Sequence, residues 1–158
     1  FEHRGSRANS YMEIIQGLWK NPVSSHEDEF YILRPSLLYP KPFNATGIPV
    51  HCLGDSEAAL KRVAAIGDGF FPLALEPEAM EQKLQRLDEL LLSRDRRRNE
   101  IMVSVTANMD TCDMDKIKQY RDAGVDRIVM MEFVESKEQL DSTLDLLSEK
   151  IVQPAQQI

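Results

Sequence analysis

A glycine, an aspartate and a serine follow one another where a short apolar run gives way to a helical pattern. The pattern places Gly54, Asp55 and Ser56 between the carboxyl end of a strand and the amino end of a helix. The first backbone N–H groups of a helix are unpaired and lie at the positive end of its dipole, which suits a phosphate. Gly54 would let an anion approach the backbone, and Ser56 would donate its hydroxyl.

Asp55 fits this hypothesis less well, because its carboxylate would oppose the charge of a phosphate. It could instead cap the helix or accept a hydrogen bond from a ligand hydroxyl. The same three residues also suit an ordinary capped turn between a strand and a helix, since a single Gly-x-Ser is a weak motif. Local chemistry alone leaves both interpretations open.

No other set of residues in the sequence has the spacing of a catalytic or metal-binding constellation. Cys52 and Cys112 lack metal-ligand spacing, so we predict no metal site. His51 is interpreted as a structural residue of its strand. Glu132, at the end of the last predicted strand, is expected to face the ligand side. We assign no catalytic acid or base.

The composition is that of a globular protein, and the charge excludes two classes of partner. The chain has 158 residues, of which 42% are hydrophobic and 28% charged, with a net charge of −7. An acidic average surface argues against nucleic-acid and membrane-surface partners. The basic run over residues 94–98 is interpreted as the solvated end of a helix. Two well-separated cysteines favour a reducing cytoplasm.

The elements that must position the loop come in two parts. Residues 9–20 carry an amphipathic helical pattern, and a proline-dotted insertion with an edge strand over 30–33 follows it. After Pro49 short strands alternate with helices; the strands are predicted over 50–53, 69–75, 101–107 and 125–131, and the helices over 56–66, 77–93, 114–123 and 136–151. We therefore predict a single partial domain over 1–158, with a helix in 1–20, an insertion in 21–47 and four βα units in 48–152.

Short apolar strands alternating with helices predict an α/β fold with a parallel sheet. Two architectures fit the pattern. One is a small doubly wound sheet, and the other is half of a (βα)₈ barrel, because a complete barrel takes about 250 residues.

Several motifs, in the same order along nearly the whole chain, resemble the bacterial-luciferase-like monooxygenase superfamily, and most of all its deazaflavin-dependent oxidoreductases. The resemblance is to the carboxyl-terminal half of that family, and the first four strands have no counterpart here. The matching runs are residues 4–7, 11–19, 29–31, 39–42, 48–50, 54–60, 67–70 and 123–129.

The resemblance implies a TIM-type barrel that binds FMN or a deazaflavin of the coenzyme F420 type at the carboxyl ends of its strands. It maps the phosphate loop onto Gly54, Asp55 and Ser56, with Ala59 one helical turn further on. Asp55 departs from the family, which often has a second glycine there. The resemblance also nominates an arginine of the first helix for the same phosphate, Arg7 before Arg4, with a surface salt bridge as the alternative.

The implied function is hydride transfer or oxygen activation on a small organic substrate that the sequence does not identify. This chain would carry the cofactor-phosphate half of the site, and the catalytic residues are expected in the absent half. The alternative is a non-catalytic phosphate-binding or assembly module, and a third possibility is a phosphosugar enzyme on a doubly wound sheet. Open sheet edges predict a homodimer or pairing with the missing amino-terminal half.

Overall fold

The computed structural model describes residues 2–44 and 47–156, and its contacts divide the chain into two compact units. The first unit comprises residues 1–49 and the second residues 50–158. The boundary coincides with the change of pattern after Pro49 in the sequence. That all 158 residues form one partial domain stays a prediction.

The first unit consists of a helix and a β-hairpin. Helix α1 (Arg4–Lys20) begins five residues before its predicted start, and Lys41 donates to the Leu18 and Asn21 carbonyls at its end, both over 2.6 Å. Strands β1 (Ser24–Glu27) and β2 (Ile32–Ser36) pair antiparallel. The predicted edge strand over 30–33 is therefore wrong in extent. Asp28 accepts from the amides of Phe30 and Tyr31, both at 2.8 Å, and these bonds form the turn.

The second unit is an α/β structure with a four-stranded parallel sheet, as the sequence predicts. The strands run in the order β3-β4-β5-β6, and every pair is parallel. The elements are β3 (His51–Leu53), α2 (Glu57–Ile66), β4 (Gly69–Phe71), α3 (Pro77–Leu92), β5 (Met102–Asn108), α4 (Met114–Asp122), β6 (Arg127–Met131) and α5 (Lys137–Leu147). Strand β4 is shorter than predicted because Pro72, which has no N–H, follows Phe71 directly.

The core lies between the helices and one face of this sheet. Successive strand residues point to opposite faces, so Phe70, Val103 and Val105 pack against the buried faces of α2 and α3. Those helical faces repeat at intervals of three and four residues: Ala59, Leu60, Val63 and Ala64 on α2, and Met80, Leu84, Leu87, Leu90 and Leu91 on α3. The carboxyl ends of all four strands meet at one edge of the sheet.

The last helix differs from the prediction of one segment over 136–151 stopped by Pro154. Helix α5 ends at Leu147, a π-helical turn covers Ser148–Val152, and α6 (Gln153–Ala155) continues the path through Pro154. Proline is tolerated there because it occupies the first turn of a new helical segment, where an N–H would be unpaired. In the described parts of the chain, no helix is long and apolar enough to cross a membrane.

The basic run over 94–98 follows the end of α3, but two of its arginines are not solvated as predicted. Arg96 donates to the carbonyls of Val63, Ala64 and Gly67 at 3.1, 3.2 and 2.9 Å, and so satisfies the carboxyl end of α2. Arg98 donates to the Leu84 carbonyl and forms an ion pair with an α3 carboxylate. Both guanidinium groups therefore bind other parts of the chain.

Candidate functional site

The loop between β3 and α2 has the backbone that the sequence suggested, and Gly54 is its turning point. Gly54 adopts φ of +101°, a left-handed conformation that side chains rarely tolerate. Its N–H donates to the Phe71 carbonyl at 3.2 Å, which fastens the loop to the end of β4. The Gly54 amide is therefore engaged, and its contribution is to let the chain turn without a side chain.

Ser56, rather than Asp55, caps helix α2. Its Oγ accepts from the Ala59 N–H at 3.2 Å, and its carbonyl accepts from Leu60 at 3.0 Å. An accepting hydroxyl keeps its own proton, so Ser56 can still donate to a ligand. Within residues 2–44 and 47–156, the amides of Ser56, Glu57 and Ala58 have no hydrogen-bond acceptor. Three backbone donors and one hydroxyl are thus available at this helix start.

A lysine that sequence reasoning missed contacts the same loop. The Nζ of Lys83, on α3, donates to the Asp55 carbonyl oxygen at 2.8 Å. The Asp55 side chain itself is exposed. No motif marks Lys83, because the two residues are brought together only by the packing of α3 beside α2. The structure thereby adds an ammonium group to a loop that otherwise carries a carboxylate.

A second carboxylate close to the helix start, that of Glu57, is held by neighbouring cations. Arg86 binds both of its oxygens, at 2.6 and 3.2 Å, and Lys61 lies 3.6 Å away. The Arg86 guanidinium holds the pKa of Glu57 below its ordinary value, and the pair raises the pKa of Arg86 further. The charge of Glu57 is therefore compensated on the α3 side.

The remaining predicted site residues occupy different positions. Ala59 is buried, and its N–H is engaged by Ser56, so it offers no free donor. Arg7 belongs to the first unit, on α1, where its guanidinium carbon lies 5.8 Å from the centroid of the Phe30 ring. The assignment of Arg7 and of residues 54–56 to one phosphate stays a prediction, since they belong to different units.

Other polar groups lie at or near the carboxyl edge of the sheet. Glu132 lines a cavity of about 780 Å³ between the segment after β5 and helix α5. Thr106 on β5 accepts from the Ala74 amide at 2.8 Å, which ties down the loop after β4. Two residues earlier on the same strand, Ser104 is buried with no partner for its Oγ among the described residues.

The surroundings of His51, Cys52 and Cys112 are those of residues with a structural role. The His51 ring lies against Gly69, close enough that a Cβ there would come within 2.3 Å of it. Burial raises the pKa of both the Cys52 and Cys112 thiols. Over the described ranges, no group of three or more His, Cys, Asp or Glu side chains could hold a metal ion.

Comparison with protein families gives a match to luciferase-like monooxygenases over residues 1–112. An uncharacterized protein of Mycobacterium tuberculosis is 25% identical over 130 residues, which are 82% of this chain and 43% of that protein. The pyrimidine monooxygenase RutA of Allorhizobium ampelinum is 34% identical over 68 residues, 43% of this chain and 18% of RutA. The chain thus spans less than half the length of the curated relatives it matches.

Solved structures share the fold. The F420-dependent tetrahydromethanopterin reductase of Methanopyrus kandleri superposes with a TM-score of 0.74 at 15% identity, over 94% of this chain and 63% of the reductase. The long-chain alkane monooxygenase LadA gives 0.78 at 10% identity, over 99% and 57%. A riboflavin lyase solved with modified FMN gives 0.57 at 14% identity, over 77% and 33%.

Proposed function

Because the chain belongs to the luciferase-like monooxygenase family, we propose that it is the cofactor-phosphate half of a flavin- or deazaflavin-dependent oxidoreductase. In this proposal its four βα units form the carboxyl-terminal half of a (βα)₈ barrel. The loop over residues 54–56 binds the phosphate of FMN or of a deazaflavin of the F420 type. Ala59 lies one helical turn further along α2, and a contribution of Arg7 stays a prediction of the family resemblance.

One observation carries the proposal: three adjacent amides, of Ser56, Glu57 and Ala58, have no acceptor among the described residues and lie at the carboxyl edge of a parallel sheet. Amide donors, a serine hydroxyl and a helix dipole are the groups that bind phosphate. The residues present therefore fit a phosphate monoester or diester. The exposed Asp55 carboxylate is free to accept from a ribityl hydroxyl.

Proteins of the same fold support the choice of cofactor. The reductase with a TM-score of 0.74 is F420-dependent, and the riboflavin lyase holds modified FMN. When bound, such a cofactor supplies hydride transfer or oxygen activation. The contribution of this chain is to hold the phosphate and so to orient the ring at the edge of the sheet. Residues that touch the reacting atoms, and the small organic substrate, are assigned to the other half of the barrel.

A barrel needs further strands beside β3 and β6, which are the edge strands of the described sheet. Parallel edges with unpaired backbone groups favour pairing with another strand. We therefore propose that the sheet is completed by a second copy of this chain or by an amino-terminal half of the barrel. Without further strands the chain would be a non-catalytic phosphate-binding module. This is the second candidate function, and the four-stranded sheet with its two edge strands is the observation that favours it.

Binding measurements test the proposal directly. The purified chain is titrated with FMN, with F420 and with riboflavin, which lacks the phosphate, while cofactor fluorescence is followed. We expect FMN or F420 to bind at least about tenfold more tightly than riboflavin, because the amides of the loop hold only the phosphate-bearing ligand. Ser56→Ala should reduce this preference, and Ser142→Ala, an exposed serine of α5, should leave it unchanged. Equal affinities for all three compounds would refute the proposed site.

A further inference from the structure

We propose that Lys83 is a positioning residue for the cofactor phosphate, acting through the peptide group between Asp55 and Ser56. The inference rests on the proposed function, because it concerns the same loop. It explains how a loop containing an aspartate could accept an anion. Neither the sequence pattern nor the family resemblance pointed to this residue.

The Nζ of Lys83 donates a hydrogen bond to the Asp55 carbonyl oxygen at 2.8 Å. A trans peptide is planar, and its C=O and N–H groups point in opposite directions. The cation that holds the Asp55 carbonyl therefore fixes the direction of the Ser56 N–H, which is one of the three available donors. A charged donor on the carbonyl also polarises the peptide and strengthens the N–H as a donor.

The lysine reaches the loop from a helix that is firmly held. Its neighbour Leu84 is buried in the core of the second unit. One turn along α3, Arg86 forms the two hydrogen bonds with Glu57 in the first turn of α2. Helix α3 is thus attached to α2 at two positions just after Lys83, through the core and through an ion pair. The Lys83 side chain is half-buried, and its hydrogen bond to the Asp55 carbonyl lies at the surface.

Lys83 also changes the net charge of the loop. Asp55 puts a carboxylate beside the proposed phosphate site, and Glu57 puts another within two residues. Arg86 and Lys61 compensate Glu57. Lys83 is the cation that the structure places on the Asp55 residue itself, so it offsets the remaining negative charge of the loop. A loop with this lysine has no excess negative charge to repel a phosphate.

Three variants separate positioning of the phosphate from ordinary stabilisation of the fold. Lys83→Met removes the charge and the donor, Lys83→Arg keeps both, and Lys118→Met removes an exposed lysine of α4 as a matched control. Each variant is titrated with FMN and with riboflavin, and its urea midpoint is measured. We expect Lys83→Met to weaken FMN binding about fivefold and to leave riboflavin binding unchanged. Lys83→Arg should restore most of the loss, and Lys118→Met should bind as the wild type.

The outcomes distinguish this inference from the proposed function. Wild-type protein that binds FMN no more tightly than riboflavin overturns both. If the wild type prefers FMN and Lys83→Met keeps the full preference, the inference alone is overturned. Equal weakening of FMN and riboflavin in Lys83→Met, with a lower urea midpoint, assigns Lys83 a structural role only and also overturns it.

Discussion

Arg96 acts on a part of the chain that is distant from its own position. Its guanidinium donates to three carbonyls at the carboxyl end of α2, about thirty residues earlier, and it also pairs with Glu100 at 3.3 Å. Carbonyls at a helix end that lose a charged donor must find water or remain unpaired. The side chain is only 21% exposed, so water can replace it only in part.

We predict that Arg96→Met lowers the free energy of unfolding by about 2 kcal/mol, the usual cost of removing hydrogen bonds to a charged group. Urea denaturation followed by circular dichroism measures the change. Arg94→Met is the matched control, since Arg94 is an exposed arginine of the same run, and it should stay within about 0.5 kcal/mol of the wild type. Equal effects of the two substitutions would contradict the capping role of Arg96.

The sequence predicts part of the candidate site and misses the rest for a physical reason. Gly54 and Ser56 are local features, because a left-handed turn and a helix cap are decided within a few residues. Lys83 lies 28 positions after Asp55, and Arg86 lies 29 after Glu57. Their contacts depend on how two helices pack side by side, which a single sequence does not reveal.

At the scale of elements, helices were the most predictable parts. The amphipathic spacing of α2 and α3 fixes their type. The caps at Ser56 and Ser136 fix the starts of α2 and α5 within a residue. The hairpin was harder, since β1 has the polar sequence Ser-Ser-His-Glu and β2 contains a proline. The π-helical turn after α5 has no sequence signal that separates it from an ordinary helix.

The ion pair between α2 and α3 gives a stability that depends on pH. Arg86 lowers the pKa of Glu57 in the folded state, so the pair stabilises the fold fully above the pKa that Glu57 has in the unfolded chain. That contribution is lost as the pH falls through the lowered pKa of the folded state. The coupling between positions 57 and 86 should therefore be present at about pH 7 and disappear in acid.

A double-mutant cycle measures this coupling. Glu57→Gln, Arg86→Met and the double variant are unfolded in urea at about pH 7 and again at about pH 3. At the higher pH we expect the double variant to lose less stability than the two single variants lose together. At the lower pH we expect this difference to be smaller, because part of Glu57 is then protonated. The cycle serves as its own control for effects of each substitution alone. A coupling that persists unchanged at the lower pH would rule out the ion pair as its source.

At the scale of the whole molecule, the second unit presents a parallel sheet that ends at two edges. Strands β3 and β6 have no further partner strand within the described residues. Near those edges, Leu53 is 57% exposed and Met131 is 40% exposed. Leu53 follows the buried Cys52 and Met131 follows the partly buried Met130, so each points to the opposite face of the sheet from its neighbour. The number and direction of the strands were predictable from the alternating pattern. Whether further strands pair with these edges was not predictable, because an edge strand has no periodicity that identifies its partner.

We predict that the chain self-associates through these edges, as open parallel strands with exposed apolar side chains favour. Sedimentation velocity over a wide concentration range should show a mass that rises from one chain towards two. The double substitution Leu53→Lys and Met131→Lys should raise the dissociation constant at least about tenfold, since it places charges at both edges. Leu92→Lys changes a more exposed leucine at the end of α3 and should have no effect. A single-chain mass at every concentration would contradict pairing between copies and would leave an amino-terminal half as the only proposed partner of the sheet.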